Sequence, residues 1–216
     1  MLVTQNSSTQ TSEIDLPHVE LSFGVVGKTL PADQGYGLYS SIVHICPEVH
    51  SLQGISIQTI TGFPDKQGKI YLSDYSRLRI RLPVDQIPIV YRLAGKSLKI
   101  GVHSIHLGIP KVFMLNPAPK LKARIVVIKG FQDPEPFLEA ARRQLQALEI
   151  TGSVNIPTHA TGEIDRKVIK IKRYSVVGFG LEIADLSEED SLKLQILGIG
   201  GKRKMGCGIF IPGGEP

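Results

Sequence analysis

The stretch Lys69-Ile-Tyr-Leu-Ser-Asp-Tyr-Ser-Arg-Leu-Arg-Ile-Arg-Leu-Pro83 reads as one long strand whose second half alternates without a break. Arg77, Arg79 and Arg81 fall on one face and Leu78, Ile80 and Leu82 on the other, the period of two that a pleated strand imposes. Such a strand belongs in a sheet with one face on a core and the other cationic. Toward the N-terminus, Gly54 to Ile60 is a further strand. Before it, Pro31 and Asp33 open a helix that Pro47 stops after Cys46. Leu38, Ile42 and Ile45 form the inner stripe of that helix, widened by Tyr39, Val43 and Cys46. Its other face, Gly37, Ser40, Ser41 and His44, is small and polar. His18 to Val26 alternates as a half-buried strand. Toward the C-terminus, Asp85 to Leu93 reads as a short helix and Ser97 to Leu107 as a hairpin or bent strand.

The same order then returns. Leu121 to Lys129 is a strand. Asp133 caps a helix that has Pro134 in its first turn and an apolar stripe of Phe137, Leu138, Ala141, Leu145 and Leu148. Val154 to Pro157 is a short strand, and Arg166 to Ile183 a hairpin or long strand pair, basic in its first half. Ser187 caps a last helix to about Leu197, with Glu188, Glu189 and Asp190 complementing its dipole. Cys207 to Ile211 is the final strand. Two βαββαβ units in tandem predict an α+β chain of two ferredoxin-like, RRM-like domains. The expected divisions are a disordered, Ser/Thr/Gln-rich lead-in over 1–16, an N-terminal domain over 17–109, a proline-containing linker over 110–119 and a C-terminal domain over 120–212.

Composition narrows the function classes. The chain has 216 residues, 42% of them hydrophobic and 21% charged, enough for sizeable cores without covalent staples. Its net charge of +5 suits an anionic partner. The two cysteines, Cys46 and Cys207, form neither a disulfide framework nor a metal pair, which points to a reducing, cytoplasmic compartment. No apolar run approaches the ~20 residues of a membrane span. There is no P-loop, no Rossmann fingerprint opening a helix and no zinc spacing, so neither a small-molecule cofactor nor a metal is expected.

The densest chemical signal is Gly198-Ile-Gly-Gly-Lys-Arg-Lys-Met-Gly-Cys-Gly208, a glycine-rich loop with five glycines around Lys202, Arg203 and Lys204. Glycines permit close backbone approach, and three adjacent cations repel one another unless an anion is near. The combination describes a loop lying against a polyanionic backbone. Two further clusters could contact the same kind of polyanion: Arg77, Arg79 and Arg81 on the strand face, and Arg166, Lys167, Lys170, Lys172 and Arg173 on the hairpin. Aromatic content is low, 6% with no Trp, so a nucleic-acid partner is expected to be held through its backbone and shape more than by stacking of splayed bases.

The tandem pattern ending in this loop resembles the RAMP superfamily of CRISPR-associated proteins. Longer stretches resemble its repeat-processing endoribonucleases of the sixth Cas family, in the Myxan-type (Cmx) branch. They are Leu30-Pro-Ala-Asp-Gln-Gly-Tyr36, Ser76-Arg-Leu-Arg-Ile-Arg-Leu-Pro83, Leu93-Ala-Gly-Lys96, Ile128-Lys-Gly-Phe131, Glu135-Pro-Phe-Leu-Glu-Ala-Ala-Arg-Arg-Gln-Leu145 and Val177-Gly-Phe-Gly180. The resemblance implies metal-independent cleavage of the CRISPR repeat RNA, a stem-loop. A ribose 2′-OH attacks the adjacent phosphate and leaves a 2′,3′-cyclic phosphate. It further implies retention of the product and other Cas subunits of a type I complex as partners.

Histidine suits the proton transfers of that reaction. In this branch the usual catalyst is a histidine just past the first helix, which places His50 first and leaves His44, on the polar face of that helix, as the contender. Tyr36, between Gly35 and Gly37, is a candidate to orient the ribose or a phosphate, or a packing aromatic. Some relatives add a lysine shortly after the histidine. Here none lies between His50 and Lys66, so Lys202, Arg203 or Lys204 would supply the transition-state cation. The other expected readings are a non-catalytic RNA-binding RAMP subunit of an interference or CRISPR-transposon complex and, more remotely, a nucleotide-binding enzyme.

Overall fold

A computed structural model describes residues 16–159 and 161–213; the lead-in expected over 1–16 lies outside them, Leu16 excepted. In chain order the elements are β1 (His18–Val26), β2 (Thr29–Pro31), α1 (Gly35–Ile45), β3 (Ser56–Ile57), β4 (Phe63–Pro64), β5 (Lys69–Tyr71), β6 (Arg77–Pro83), α2 (Ile87–Tyr91), β7 (Ser97–Ile100), β8 (His103–Leu107) and β9 (Lys111–Met114). They continue with β10 (Leu121–Val126), α3 (Pro134–Ala147), β11 (Ser153–Asn155), β12 (Arg166–Ile171), β13 (Tyr174–Ala184), α4 (Glu188–Leu197) and β14 (Phe210–Pro212).

Two antiparallel sheets carry the frame. The first runs β3-β6-β1-β8-β7 and the second β11-β13-β10-β14. With β3, β6 and β8 as the second, third and fourth strands of a βαββαβ unit, and β11, β13 and β14 likewise, both sheets have the order 2-3-1-4. That is the ferredoxin-like arrangement. Leu21, Phe23, Leu78, Ile80 and Leu82 pack with Leu38, Ile42 and Val90 into one core. Phe137, Ala141 and Leu145 pack with Phe179, Leu181, Leu194 and Phe210 into the other. Each fully buried Leu, Ile or Phe contributes about 1.5–3 kcal/mol.

Several elements differ from the expected ones. The long strand over Lys69 to Pro83 is broken. Ser73 to Ser76 form a turn in which the Ser76 N–H donates to the Ser73 carbonyl at 2.9 Å and the Ser76 hydroxyl donates to the Thr61 carbonyl at 2.8 Å. Serine and aspartate favour such turns. As a result β5 joins a separate three-stranded sheet, β2-β5-β4, while β6 lies beside β1. The first helix starts at Gly35, because Thr29 to Pro31 is drawn into that small sheet as β2. Gln34 spends its side chain on the Ile60 backbone instead of capping. Asp133 makes no side-chain capping bond, whereas the Ser187 hydroxyl accepts from the Asp190 N–H at 3.0 Å. Residues expected as a linker contain β9, which pairs with β1 from Val19–Met114 to Ser22–Lys111. It continues the line of β8 along β1 after a shift of register around Gly108.

The three alternating arginines share a face, but Arg81 does not reach solvent. Its side chain is 2% exposed, pairs with Glu20 at 3.3 Å, and donates to the carbonyls of Gln195 at 2.6 Å and Phe210 at 2.9 Å. The expectation that Arg81 contacts RNA is therefore corrected: its guanidinium is consumed in joining the two sheets. Burial pushes its pKa down and Glu20 pulls it back up, and arginine stays charged. Among the described residues, no helix is long and apolar enough to cross a membrane.

Removing the Arg81 guanidinium leaves the Gln195 and Phe210 carbonyls without their donor and takes the buried partner from Glu20. Arg81→Ala is expected to lower unfolding stability by about 3–5 kcal/mol in urea denaturation. Adding Glu20→Gln should recover part of that loss, with the coupling read from the double-mutant cycle.

Candidate active site

The first helix ends where Pro47 follows Cys46, whose N–H still donates to the Ile42 carbonyl at 2.8 Å. A short 3-10 turn, Pro47–His50, then reverses the chain. Buried Val49 anchors this turn, and Glu48 pairs with Arg92 just past α2. Hydrogen bonding from its own backbone amide and from Arg92 holds the Glu48 carboxyl below the usual carboxylate range. The reversal presents His50, exposed, beside α1.

There the Tyr39 hydroxyl and His50 Nδ1 lie 2.6 Å apart. Burial, and secondarily the nearby Tyr36, raise the Tyr39 pKa, so the phenol keeps its proton at neutral pH. With Nδ1 tied to the phenol, Nε2 is the ring nitrogen left for a substrate.

The glycine-rich loop comes to this place from the second sheet. Its frame is set by the Gly201 N–H on the Val127 carbonyl at 2.9 Å and the Gly208 N–H on the Ile125 carbonyl at 2.8 Å. Residues Arg203–Met205 form a 3-10 turn bracketed by left-handed Lys202 and Gly206, with φ of 68° and 81°. This turn lies directly on the start of α1. A Cβ on Gly35 would stand 2.3 Å from the Met205 carbonyl oxygen, and one on Gly206 2.7 Å from the Thr59 side chain. Only glycine permits the approach at either point.

That contact sorts the three cations. Lys204 Nζ donates to the His50 carbonyl at 2.7 Å, and partial burial lowers its pKa from the ordinary lysine value. Arg203 turns back and donates to the Ile196 carbonyl in the last turn of α4. Lys202 is exposed. Tyr39, Leu52 to Ile55 and Gly200 to Met205 line a cleft of about 360 Å³. His50 is bonded to two of its lining residues, Tyr39 and Lys204.

Tyr36 and His44 fall elsewhere: with Ser97 and Lys99 they line a neighbouring cleft of about 440 Å³ across α1. The phenol bonded to His50 is Tyr39, one turn after Tyr36. Its ring widens the apolar stripe of α1, so periodicity alone assigns it to the core. The chain reversal at Pro47 that brings His50 back to it leaves no mark in the spacing. The other histidines have their own polar partners: His18 the Leu16 carbonyl, His103 Thr29, His106 Ser97 and His159 Asp165. Among the described residues no three His, Cys, Asp or Glu side chains gather as a metal site.

The basic hairpin is β12–β13, closed by Lys172 and Arg173 with Lys172 left-handed at φ 55°. Arg166 and Lys170 are exposed on one face. On the other, Ile169 packs with Ile125, Val127 and Cys207 of the glycine loop. This burial pushes the Cys207 thiol up to about 11. The Lys170 N–H donates to the Asp33 carboxylate at 2.6 Å, docking the hairpin beside the start of α1. Lys167 is neutralised locally by Asp165, and Arg173 lies 5.2 Å over the Tyr174 ring. Arg77 and Arg79 open into a second cleft between the two sheets, Arg79 facing Glu20 at 3.7 Å.

A family model described as "Cas6 Crispr" matches residues 19–215. A protein of Myxococcus xanthus (strain DK1622) named "CRISPR-associated endonuclease Cas6" is 33% identical over 197 residues, covering 91% of this chain and 82% of that protein. Among solved structures, "CRISPR associated protein Cas6" superposes with a TM-score of 0.65 at 11% identity, over 92% of this chain and 99% of that one. "An RAMP protein binding different RNA substrates" follows at 0.62 and 16%, over 90% and 98%. A Cas6-related protein from Pyrococcus furiosus gives 0.60 and 15%, over 91% and 98%. The fold is shared with these structures, and by the family match and the Myxococcus relative together the chain belongs to the Cas6 family.

Proposed function

We propose that this protein is a metal-independent endoribonuclease that cuts CRISPR repeat RNA in the precursor transcript and keeps the product. The observation that carries this reading is the meeting of His50, Tyr39 and Lys204 at the contact between α1 and the glycine loop. The Tyr39 oxygen lies 2.6 Å from Nδ1. As acceptor from Nδ1–H it confines proton exchange to Nε2. Nε2 takes the proton of the ribose 2′-OH as O2′ attacks the adjacent phosphorus. The P–O5′ bond breaks, the proton passes to O5′, and a 2′,3′-cyclic phosphate and a 5′-hydroxyl remain. No redox partner or cofactor enters that balance.

The phosphorane carries more negative charge than the ground state, and fixed cations stabilise it selectively. Lys204 has one donor on the His50 carbonyl and two left for phosphate oxygens. Lys202 stands exposed on the same loop. This arrangement replaces the lysine that some relatives place shortly after the histidine. Arg166, Lys170 and Lys172, exposed on the hairpin, are proposed to hold the phosphates of the repeat stem, with Arg77 and Arg79 as a second contact. Lys167, Arg173 and Arg203 reach RNA in this reading only by leaving the partners described above. The two buried free thiols suit work in the cytoplasm, alone or with other Cas subunits of a type I complex.

With EDTA present, the wild-type protein is expected to cut the repeat RNA of its own locus and to leave a 2′-deoxy substrate intact. His50→Ala should lose about 10²–10⁴-fold in single-turnover rate at unchanged affinity. Tight binding without cleavage by the wild type would instead indicate a non-catalytic RNA-binding subunit.

Tyr39→Phe keeps the ring and removes the oxygen. The expected result is a fall in cleavage rate of about tenfold with the RNA dissociation constant unchanged, measured by single-turnover kinetics and filter binding.

Because burial lowers the Lys204 pKa, its positive charge is present below that value and lost as pH rises through it, earlier than for a free lysine at 10.5. The rate profile should show an alkaline limb below that point. Lys204→Arg should move the limb out of range, and Lys204→Gln should depress the rate at every pH.

A further inference from the structure

The small sheet β2-β5-β4 has a face that the core does not use. Leu30 and Ile70 point inward and are buried. On the opposite face Phe63 and Tyr71 are direct cross-strand partners, 68% and 54% exposed. Neighbouring side chains in such a pair project together from the pleat. Lys69 lies two residues from Tyr71, on the same side of β5. Lys28 and Lys66 flank the sheet, and none of the three lysines has an ion-pair partner among the described residues. The nearby Asp65 carboxylate turns one oxygen, Oδ1, to the backbone N–H groups of Gln67 and Lys69, both at 2.8 Å.

This face is tied to the candidate active site by a short, fixed segment. Thr59 packs against Gly206 of the glycine loop. The Gln34 side chain bonds both the carbonyl and the N–H of Ile60, and Ser76 bonds the Thr61 carbonyl. Phe63 is four residues past Thr59, so it stands within about 14 Å of the loop contact.

From this we infer that Phe63 and Tyr71 form a stacking platform for unpaired nucleotides flanking the segment of RNA held at the glycine loop. The inference rests on the reading that RNA is bound there. Two exposed rings rimmed by unpaired lysines match the chemistry of single-stranded nucleic acid, in which every base offers an apolar face and every linkage an anion. The low aromatic content of the whole chain conceals this local concentration. Tyr75, 87% exposed, adds a third ring on the turn that follows β5.

The test compares two RNAs, the repeat stem-loop with its unpaired flanks and the same stem-loop trimmed of them, the flanks carrying 2-aminopurine. Wild-type protein should hold the flanked RNA more tightly and quench the probe. The double variant Phe63→Ala, Tyr71→Ala should bind flanked RNA roughly 5- to 100-fold more weakly, the range that loss of stacking on one base gives, and trimmed RNA as before. Tyr71→Phe, which keeps the ring, should behave as wild type. Equal affinities of wild type and double variant for the flanked RNA, with normal wild-type cleavage, would overturn this inference alone. Weakening of both RNAs alike would overturn it too, since it would place the rings elsewhere than on the flanks. Failure of the wild-type protein to bind either RNA would overturn the endoribonuclease reading with it.

Discussion

One buried guanidinium holds the arrangement on which everything else rests. Arg81 leaves β6 of the first sheet and ends on the carbonyls of Gln195 and Phe210, with Glu20 supplying the counter-charge. Gln195 is in α4, three residues before the glycine loop begins, and Phe210 starts β14, two residues after it ends. A single side chain of the first sheet thus grips both stems of a loop carried by the second. Removing the guanidinium from such a setting is costly, because the two carbonyls it satisfies are left without their donor, while Glu20 keeps only Gln58 and the more distant Arg79. The loop is held from its own side as well, through the N–H groups of Gly201 and Gly208 on β10 and the residue after it. Between these restraints its tip has little choice but to rest on the start of α1.

Contact with α1 turns a run of like charges into three different groups. Arg203 satisfies the end of α4, Lys202 faces water, and Lys204 reaches across to the His50 backbone. Mutual repulsion of adjacent cations is relieved because their side chains diverge. The same packing seats Cys207 and Ile169 together, so that loop and basic hairpin share a small core. Preorganisation of this kind is what electrostatic stabilisation of a transition state requires, since no reorientation is left to do when charge develops.

Much of this was legible in the residues. The alternation in Arg77 to Leu82, the helix-stopping Pro47, the Ser187 cap and the glycine-cation run each report a local rule of backbone geometry, and local rules act within a few residues. Tandem βαββαβ order followed from them, whereas His50 was singled out by the family resemblance. Where expectation and structure part, the cause is distant. Lys69 to Tyr71 has strand character either way, and only its pairing with Thr29 to Pro31 decides that it leaves the main sheet. Lys111 to Met114 sits among prolines and reads as linker until β1 offers it an edge.

What the sequence by itself determined is therefore the inventory: which segments are strands and helices, which family they resemble, and that a histidine, a cationic glycine loop and a basic hairpin are present. Tertiary structure decided which of those groups meet. It turned Arg81 from a surface cation into a buried clamp, chose Tyr39 over Tyr36 as the partner of His50, and singled out Lys204 from its two neighbours. The physical reason is that periodicity specifies a face but not what that face is packed against. A buried charge, a 2.6 Å contact and a shared cleft all arise between residues far apart in the chain.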